Sequence, residues 1–253
     1  MMAGLHKDGT NFGLSPVETH VRRLVWHQLS KLDLRTCQAV GPAQSLIRID
    51  EYDTKLPLNV DDADFEGLIQ PTKDKTQWTD NTLNKLRLEL SQFSSEMFLT
   101  KENLDKRHTA LSAALHRIDE WFKATEAKYL PLLDEKIPIQ DLTLKLLRMT
   151  RSGFYIGLLH RYIVSAPKKM PQRLVDVVWH ASLSNTEISQ KIETDSRFEL
   201  WSWYSGTFQN YHVARKCLSL LCIYLQSQNM TSKKSWRACP GDAAEIYRTI
   251  QCC

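Results

Sequence analysis

Residues 15–58, SPVETHVRRLVWHQLSKLDLRTCQAVGPAQSLIRIDEYDTKLPL, decide the fold of this chain. Ser15 is a good helix cap, Pro16 suits a first helical turn, and Glu18 completes a capping-box pattern with Ser15. Apolar residues then recur at helical spacing: Val17, Val21, Leu24, Leu29 and Leu32. The pattern predicts a helix over residues 17–37 that ends by the Gly41-Pro42 turn.

The rest of the chain continues the helical period, and no alternation typical of strands is sustained. Residues 43–82 are the exception, because prolines, aspartates and asparagines predict a long ordered loop there. Residues 142–164 are apolar over most of the helix circumference, which predicts a central buried helix. Further helices are predicted over residues 82–99, 103–129, 171–192 and 198–226.

These patterns predict an all-α fold, an irregular multi-helix bundle with a long acidic ordered loop near the N-terminus. One domain is expected over residues 1–227, followed by a poorly ordered tail over residues 228–253, where the periodicity is lost. The 253 residues and the 42% hydrophobic content suffice for a substantial core.

Composition limits the function classes. The chain has 33 basic and 29 acidic residues, a net charge of +4, and its basic residues are dispersed. A DNA-binding domain usually carries a concentrated basic stripe, so no direct DNA contact is expected.

The six cysteines are too scattered for a disulfide framework, which favours a reducing intracellular compartment. No signal peptide or membrane-spanning run is visible, so we expect a soluble intracellular protein.

A series of motifs is spread over most of the chain. The N-terminal part has GLHKDGT at residues 4–10, SPVE at 15–18, Arg22, Arg23, Trp26, Asp33, Gly41-Pro42, Asp50, Asp53, LPLN at 56–59, Asp61, Asp62 and Asp64. Later, residues 148–161 begin and end with arginine, and residues 209–214 read QNYHVA. In order and spacing these motifs resemble the leading segment, helix, loop, "R…R" helix and "Q-YHA" helix of the middle homology domain of fungal zinc-cluster transcription factors.

The chain also departs from the family pattern. Members usually carry a further helical block before the first motif, and a six-cysteine zinc cluster with basic residues before that. Neither precedes Met1 here, His27 replaces a second tryptophan, and the "GRP" arginine is missing. The resemblance therefore implies an N-terminally truncated regulatory domain without a zinc cluster. The alternative is that the start is misplaced and the intact protein has its zinc cluster upstream. A missing block of helices would leave core surface exposed, and residues 142–164 are where we expect it.

The signature residues Arg22, Arg23, Asp33, Asp53 and Pro57 are interpreted as structural. An arginine can pair bidentately with a carboxylate of the acidic loop and so fix the loop to the first helix. The alternative is that Arg22 and Arg23 bind an anionic effector. The aspartates of the loop also suggest a calcium or magnesium site, but their spacing fails the EF-hand pattern. Loop capping is preferred, with no metal site and no cofactor.

An aromatic cluster over residues 201–212 is the best candidate for a small-molecule pocket, because aromatic walls with a few polar groups are typical of buried ligand sites. The candidate ligand-binding residues are Trp26, Trp203, Tyr211 and His212. Ordinary core packing is the alternative at each of them. No metalloprotease, nucleophile-elbow or phosphate-loop motif is present, so no catalytic residue is assigned and an enzyme is not expected.

Two kinds of function remain. The resemblance implies a pathway-specific regulator of a secondary-metabolism gene cluster, resident in the nucleus. It would act through a protein partner, a full-length regulator or a coregulator, or through a small-molecule effector. The alternative is a cytoplasmic small-molecule-binding or biosynthetic protein derived from such a domain.

Overall fold

The computed structural model describes residues 4–40, 47–67, 70–105, 111–165, 171–201 and 217–218. Within them the chain is all-α, as predicted, and contains no strand. The α-helices are α1 (Pro16–Val40), α2 (Thr82–Asp105), α3 (Leu111–Tyr129), α4 (Pro138–Ser165) and α5 (Gln172–Thr194). No helix among the described residues is long and apolar enough to cross a membrane.

The contacts divide the chain into two compact units. The first unit is Met1–Arg117 with Lys123–Leu133, and the second is Ile118–Phe122 with Asp134–Cys253. The predicted helix over residues 198–226, the boundary at residues 227 and 228 and the predicted tail lie outside the described residues, apart from residues 198–201 and 217–218.

The first unit is built on α1, α2 and the irregular segment between them. Tyr52 of that segment packs edge-on against Trp26 of α1, with ring centroids 5.3 Å apart. Gln28 of α1 donates from Nε2 to Asn84 Oδ1 of α2 at 2.8 Å, which fixes the register of the two helices. The predicted long loop is therefore ordered over its described part, with short 3-10 turns at Ile49–Glu51 and Asp62–Phe65.

In the second unit α4 packs along α5. Asn185 donates from Nδ2 to the carbonyl of Met149 at 3.1 Å, across a contact lined by small residues of α5. After α5, Arg197 donates to Asp141 at 3.1 Å and so fastens the 3-10 turn Ser196–Trp201 to the start of α4. As predicted, α4 is buried over most of its circumference.

Two predicted helix boundaries were wrong. Residues 103–105 belong to α2, which runs to Asp105, whereas the sequence pattern assigned them to the next helix. That next helix, α3, begins at Leu111 in the described residues. The seven-residue apolar spacing continues across both helices, so periodicity alone could not locate these two boundaries.

The predicted capping box at the start of α1 is confirmed. Glu18 N–H donates to Ser15 Oγ at 3.3 Å, and Ser15 N–H donates to Glu18 Oε2 at 3.1 Å. These bonds satisfy donors that the first helical turn leaves without an intrahelical acceptor.

Replacing Ser15 by alanine is expected to lower the free energy of unfolding by about 1 kcal/mol, because the cap is lost. Urea titration followed by far-ultraviolet circular dichroism measures this. Thr36→Ala is the matched control, since that hydroxyl bonds only to the Leu32 carbonyl within α1 and the residue is exposed. Equal effects of the two substitutions would contradict the capping interpretation.

Candidate functional site

Asp8 is the centre of a buried network at the N-terminal end of the first unit. Its side chain is 2% exposed and forms a bidentate pair with Arg23, whose Nε and Nη2 each donate at 2.8 Å. The same carboxylate accepts from Thr10 Oγ1 at 2.6 Å and from Lys55 N–H at 3.0 Å. Burial raises the pKa of Asp8, but the hydrogen bonds from Arg23, Thr10 and Lys55 outweigh it, so the pKa lies well below its usual range.

The segment around Asp8 needs its two glycines for different reasons. Gly4 has φ of +62°, a left-handed conformation that favours glycine, and its carbonyl accepts from Arg22 Nη2 at 3.0 Å. A Cβ at Gly9 would lie 2.7 Å from Thr19 Oγ1, so only glycine lets this segment approach α1 so closely. The backbone of the GLHKDGT motif therefore packs directly against α1 and bonds to it.

Asp53 joins the loop to the same segment. Its Oδ1 accepts from Asp8 N–H at 2.7 Å, and its own N–H donates to the His6 carbonyl at 3.0 Å. Thr54 Oγ1 donates to the Leu5 carbonyl at 2.7 Å. We call the side chains of Asp8, Arg23, Asp53 and Thr10 the Asp8 network, and it links the N-terminal segment, α1 and the loop.

The predicted partner of Arg23 needs correction. We expected a carboxylate of the acidic loop, but the partner is Asp8 of the N-terminal segment, and the loop contributes its Lys55 N–H to that same carboxylate. Asp33 accepts from Ile47 N–H at 3.0 Å, and Pro57 is buried. The one sequence signal for the Asp8–Arg23 pair was that Asp8 is the acidic residue of the GLHKDGT motif.

A second polar cluster centres on Asn59, which sequence reasoning assigned no role. Its Nδ2 donates to the carbonyls of Lys75 and Gln77 at 3.0 and 3.1 Å. Its Oδ1 accepts from the hydroxyls of Thr79 and Thr82, each at 2.8 Å. All four hydrogen-bonding positions of this buried amide are therefore occupied, and the end of the loop is fixed to the start of α2.

The loop aspartates serve as caps and ion-pair partners. Asp61 and Asp64 form a capping box for the turn Asp62–Phe65, and Lys75 Nζ bridges the two carboxylates at 2.8 and 2.7 Å. Asp50 pairs with Arg48 at the surface. Among the residues that the structure describes, no three His, Cys, Asp or Glu side chains are grouped so as to hold a metal ion.

A small cleft that is partly open to solvent lies between α1, the loop and α2. It is lined by His27, Ser30, Ile47, Tyr52, Leu88, Ser91, Gln92 and Ser95. His27 Nε2–H donates to the Lys55 carbonyl at 3.0 Å, and burial lowers the pKa of His27. The imidazole is thus a neutral side chain that holds the loop in place.

The candidate ligand-binding residues are not brought together within the described residues. Trp26 is buried behind Tyr52, which lines the cleft, and its indole N–H has no hydrogen-bond partner among the described residues. Trp203, Tyr211 and His212 lie outside the described residues. The ligand-binding role of all four remains a prediction.

Exposed apolar residues follow the solvent side of α1, and we call this set the α1 stripe. It consists of five side chains that are 40–58% exposed: Val17, Val21, Val25, Leu29 and Leu32. Residues 142–164, where exposed core surface was expected, are instead mostly buried, with Tyr162 as the exposed large hydrophobic residue of α4. That expectation was wrong, because the open apolar surface lies on α1.

Comparison with known proteins gives relatives of one kind. No family model matches the sequence, and no solved structure gives a significant match. The chain is 28% identical over 221 residues to the aurofusarin cluster transcription factor aurR2 of Gibberella zeae, covering 83% of this chain and 31% of that protein.

Two further relatives point the same way. Activator of stress genes 1 of Saccharomyces cerevisiae is 22% identical over 94% of this chain and 26% of its own length. The C6 finger domain transcription factor hasF of Aspergillus fumigatus is 25% identical over 56% of this chain and 22% of its own length. The homologues are therefore fungal transcription factors, and the chain spans less than a third of each.

Proposed function

We propose that this chain is a transcription regulator of a fungal secondary-metabolism gene cluster, in which residues 1–227 form a middle homology (regulatory) domain. The observation that carries the proposal is the similarity to transcription factors along 83–94% of the chain. One of these relatives is named for the aurofusarin cluster. The protein acts in the nucleus.

The proposed mode of action is partner or effector binding, with no direct DNA contact by residues 1–253. Charge supports this, since 33 basic residues are balanced by 29 acidic ones. Arg23 and Lys75 are also committed to Asp8 and to the Asp61–Asp64 pair inside the first unit. These two cations are therefore already paired with carboxylates of the chain itself.

Chemistry within the described clusters also supports binding over catalysis. Asp8 and Asn59 have their hydrogen-bonding positions filled by groups of the chain itself, and His27 donates to a backbone carbonyl. Groups satisfied in this way stabilise a scaffold and have no proton to exchange with a substrate. The first unit is therefore a scaffold that presents a surface.

Purified protein of residues 1–253 is expected to bind DNA only weakly and without sequence preference at physiological salt. Fluorescence anisotropy with labelled promoter duplexes of the neighbouring genes measures this. A scrambled duplex of equal length is the control. Nanomolar binding that distinguishes the promoter from the scrambled duplex would contradict the proposed mode of action.

Deletion of the gene separates regulation from the biosynthetic alternative. A regulator predicts altered transcript levels for a set of clustered genes, together with a nuclear signal from a fluorescently tagged chain. Unchanged transcripts with an accumulated pathway intermediate would support a biosynthetic protein instead.

A further inference from the structure

The α1 stripe is the feature that the fold leaves without a role. Its members are spaced four, four, four and three residues apart, so they form one continuous face of the helix. The opposite face of α1 is buried in the first unit through Trp26, Leu34 and Cys37, together with the polar side chains of Arg23 and His27. The core of the first unit therefore does not use the stripe, and a continuous exposed apolar face of this kind marks an interaction surface.

The dimensions of the stripe suit a single helix as the covering element. From Val17 to Leu32 the face runs for about 22 Å at 1.5 Å per residue. Five aliphatic side chains that are about half exposed present an apolar area on the order of 300–400 Å², within the range of functional surface patches. A long, narrow face of this kind matches the apolar side of one amphipathic helix.

The charge along one border of the stripe indicates which charge the covering helix carries. Lys31 and Arg35 lie one turn apart on α1, and the Gln28–Asn84 bond places Arg87 of α2 beside them. Burial, together with Arg87 and Arg35, lowers the pKa of Lys31 to about 8. The charged groups that act on Lys31 are the cations Arg87 and Arg35, so the border is positive.

A second copy of this chain would fit the border poorly. It presents the same cations, and the carboxylate of Glu18 at the exposed start of the stripe is held by Ser15. Like charges across an interface disfavour pairing, whereas a helix bordered by carboxylates is attracted. An acidic partner is therefore favoured over a second copy.

We propose that the α1 stripe docks an acidic amphipathic helix of another protein, whose apolar face covers Val17 to Leu32 and whose carboxylates meet Lys31 and Arg35. This inference rests on the proposed function for its setting, and it names the kind of partner through which the regulator acts. Partner carboxylates would relieve the crowding of positive charge beside Lys31.

Two labelled synthetic peptides of 18 residues test the inference by fluorescence anisotropy with the full chain. Both carry leucines on one helical face, one with glutamates along its border and the other with lysines at the same positions. We expect the glutamate peptide to bind at least about tenfold more tightly than the lysine peptide. Equal binding, or tighter binding of the lysine peptide, would overturn the inference.

Substitutions in the chain test whether the glutamate peptide binds to the α1 stripe. The double variant V21S/V25S is expected to weaken binding of the glutamate peptide about tenfold or more, because two buried contacts are lost. K31Q/R35Q should remove the preference for glutamate over lysine. L200S is the matched control, since Leu200 is 80% exposed but lies outside the stripe, and it should bind as the unmodified chain does.

Sedimentation velocity of the unmodified chain and the same variants tests whether a second copy of the chain covers the stripe instead. Self-association of the unmodified chain that V21S/V25S abolishes would show that a second copy covers the stripe, and would overturn the proposal. Unchanged unfolding curves for the variants establish that the fold is intact. The result is independent of transcript levels, so failure of the docking proposal and failure of the proposed function are distinguishable.

Discussion

Replacing Asp8 by asparagine is expected to lower the free energy of unfolding by about 3–5 kcal/mol, because the Arg23 guanidinium is left buried without a countercharge. Asparagine has nearly the shape of aspartate, so the loss comes from charge and hydrogen bonding. The amide cannot accept the bidentate pair from Arg23 together with the bonds from Thr10 and Lys55. Urea titration followed by far-ultraviolet circular dichroism measures the change.

Asp50→Asn is the control for this experiment. Asp50 pairs with Arg48 at the surface, where both side chains are more than 60% exposed, so its loss should change stability little. If Asp8→Asn and Asp50→Asn proved equally mild, the Asp8 network would not stabilise the first unit. R23M/D8L offers a further check, since removing both charges together should cost less than removing Asp8 alone.

The same network gives stability a pH dependence of known sign. The folded-state pKa of Asp8 is depressed below that of the unfolded chain, which is near 4. The carboxylate therefore contributes its stabilisation above about pH 4, and the contribution is lost as the pH falls toward the folded-state pKa. The stability difference between the unmodified chain and Asp8→Asn should accordingly narrow below about pH 4.

Replacing Asn59 by aspartate is expected to cost about 3 kcal/mol or more, since a carboxylate oxygen would face two backbone carbonyls. In the native chain the Asn59 amide donates to the carbonyls of Lys75 and Gln77. The acceptor side is unchanged by the substitution, because Thr79 and Thr82 can still donate to the remaining oxygen. The urea midpoint of the first unit reports the loss.

Asn11→Asp is the matched control for Asn59. Its amide donates to Asp53 Oδ2 at 3.2 Å from an exposed position, where water can replace the bond and screen the new carboxylate from that of Asp53. An effect below about 1 kcal/mol is therefore expected. Tolerance of aspartate at residue 59 would show that the Asn59 amide does not organise the loop end.

Most of the fold was predictable from the sequence, for identifiable reasons. The Ser15 and Glu18 capping pattern located the start of α1, and the apolar circumference of residues 142–164 identified α4 as buried. The end of α2 at Asp105 was not predictable, because the apolar spacing runs past it. Periodicity identifies helices more reliably than it identifies their ends.

The outward face of α1 could not be predicted from periodicity. The predicted apolar set included Val17, Val21, Leu29 and Leu32, and these side chains turn out to be exposed. Trp26, Leu34 and Cys37 of the same helix are the ones that reach the core. When a helix carries apolar residues on more than one face, tertiary contacts decide which of them are covered.

The Asp8 network and the Asn59 cluster could not be predicted, for a different reason. Arg23 was recognised as an anchor, but the choice between Asp8 and the loop carboxylates depends on how Gly4 and Gly9 bring the N-terminal segment against α1. Asn59 was one letter of a motif, and its four partners lie 16–23 residues further along the chain. Such long-range satisfaction of a buried amide has no local sequence signal.

The measurement that tests the central claim most directly is the level of cluster transcripts in a deletion strain complemented with variants of this gene. Deletion should alter the transcripts, and both the unmodified gene and the L200S control should restore them. V21S/V25S should fail to restore them although the protein is folded and nuclear. Transcripts that are the same with and without the gene would contradict a role in transcriptional control.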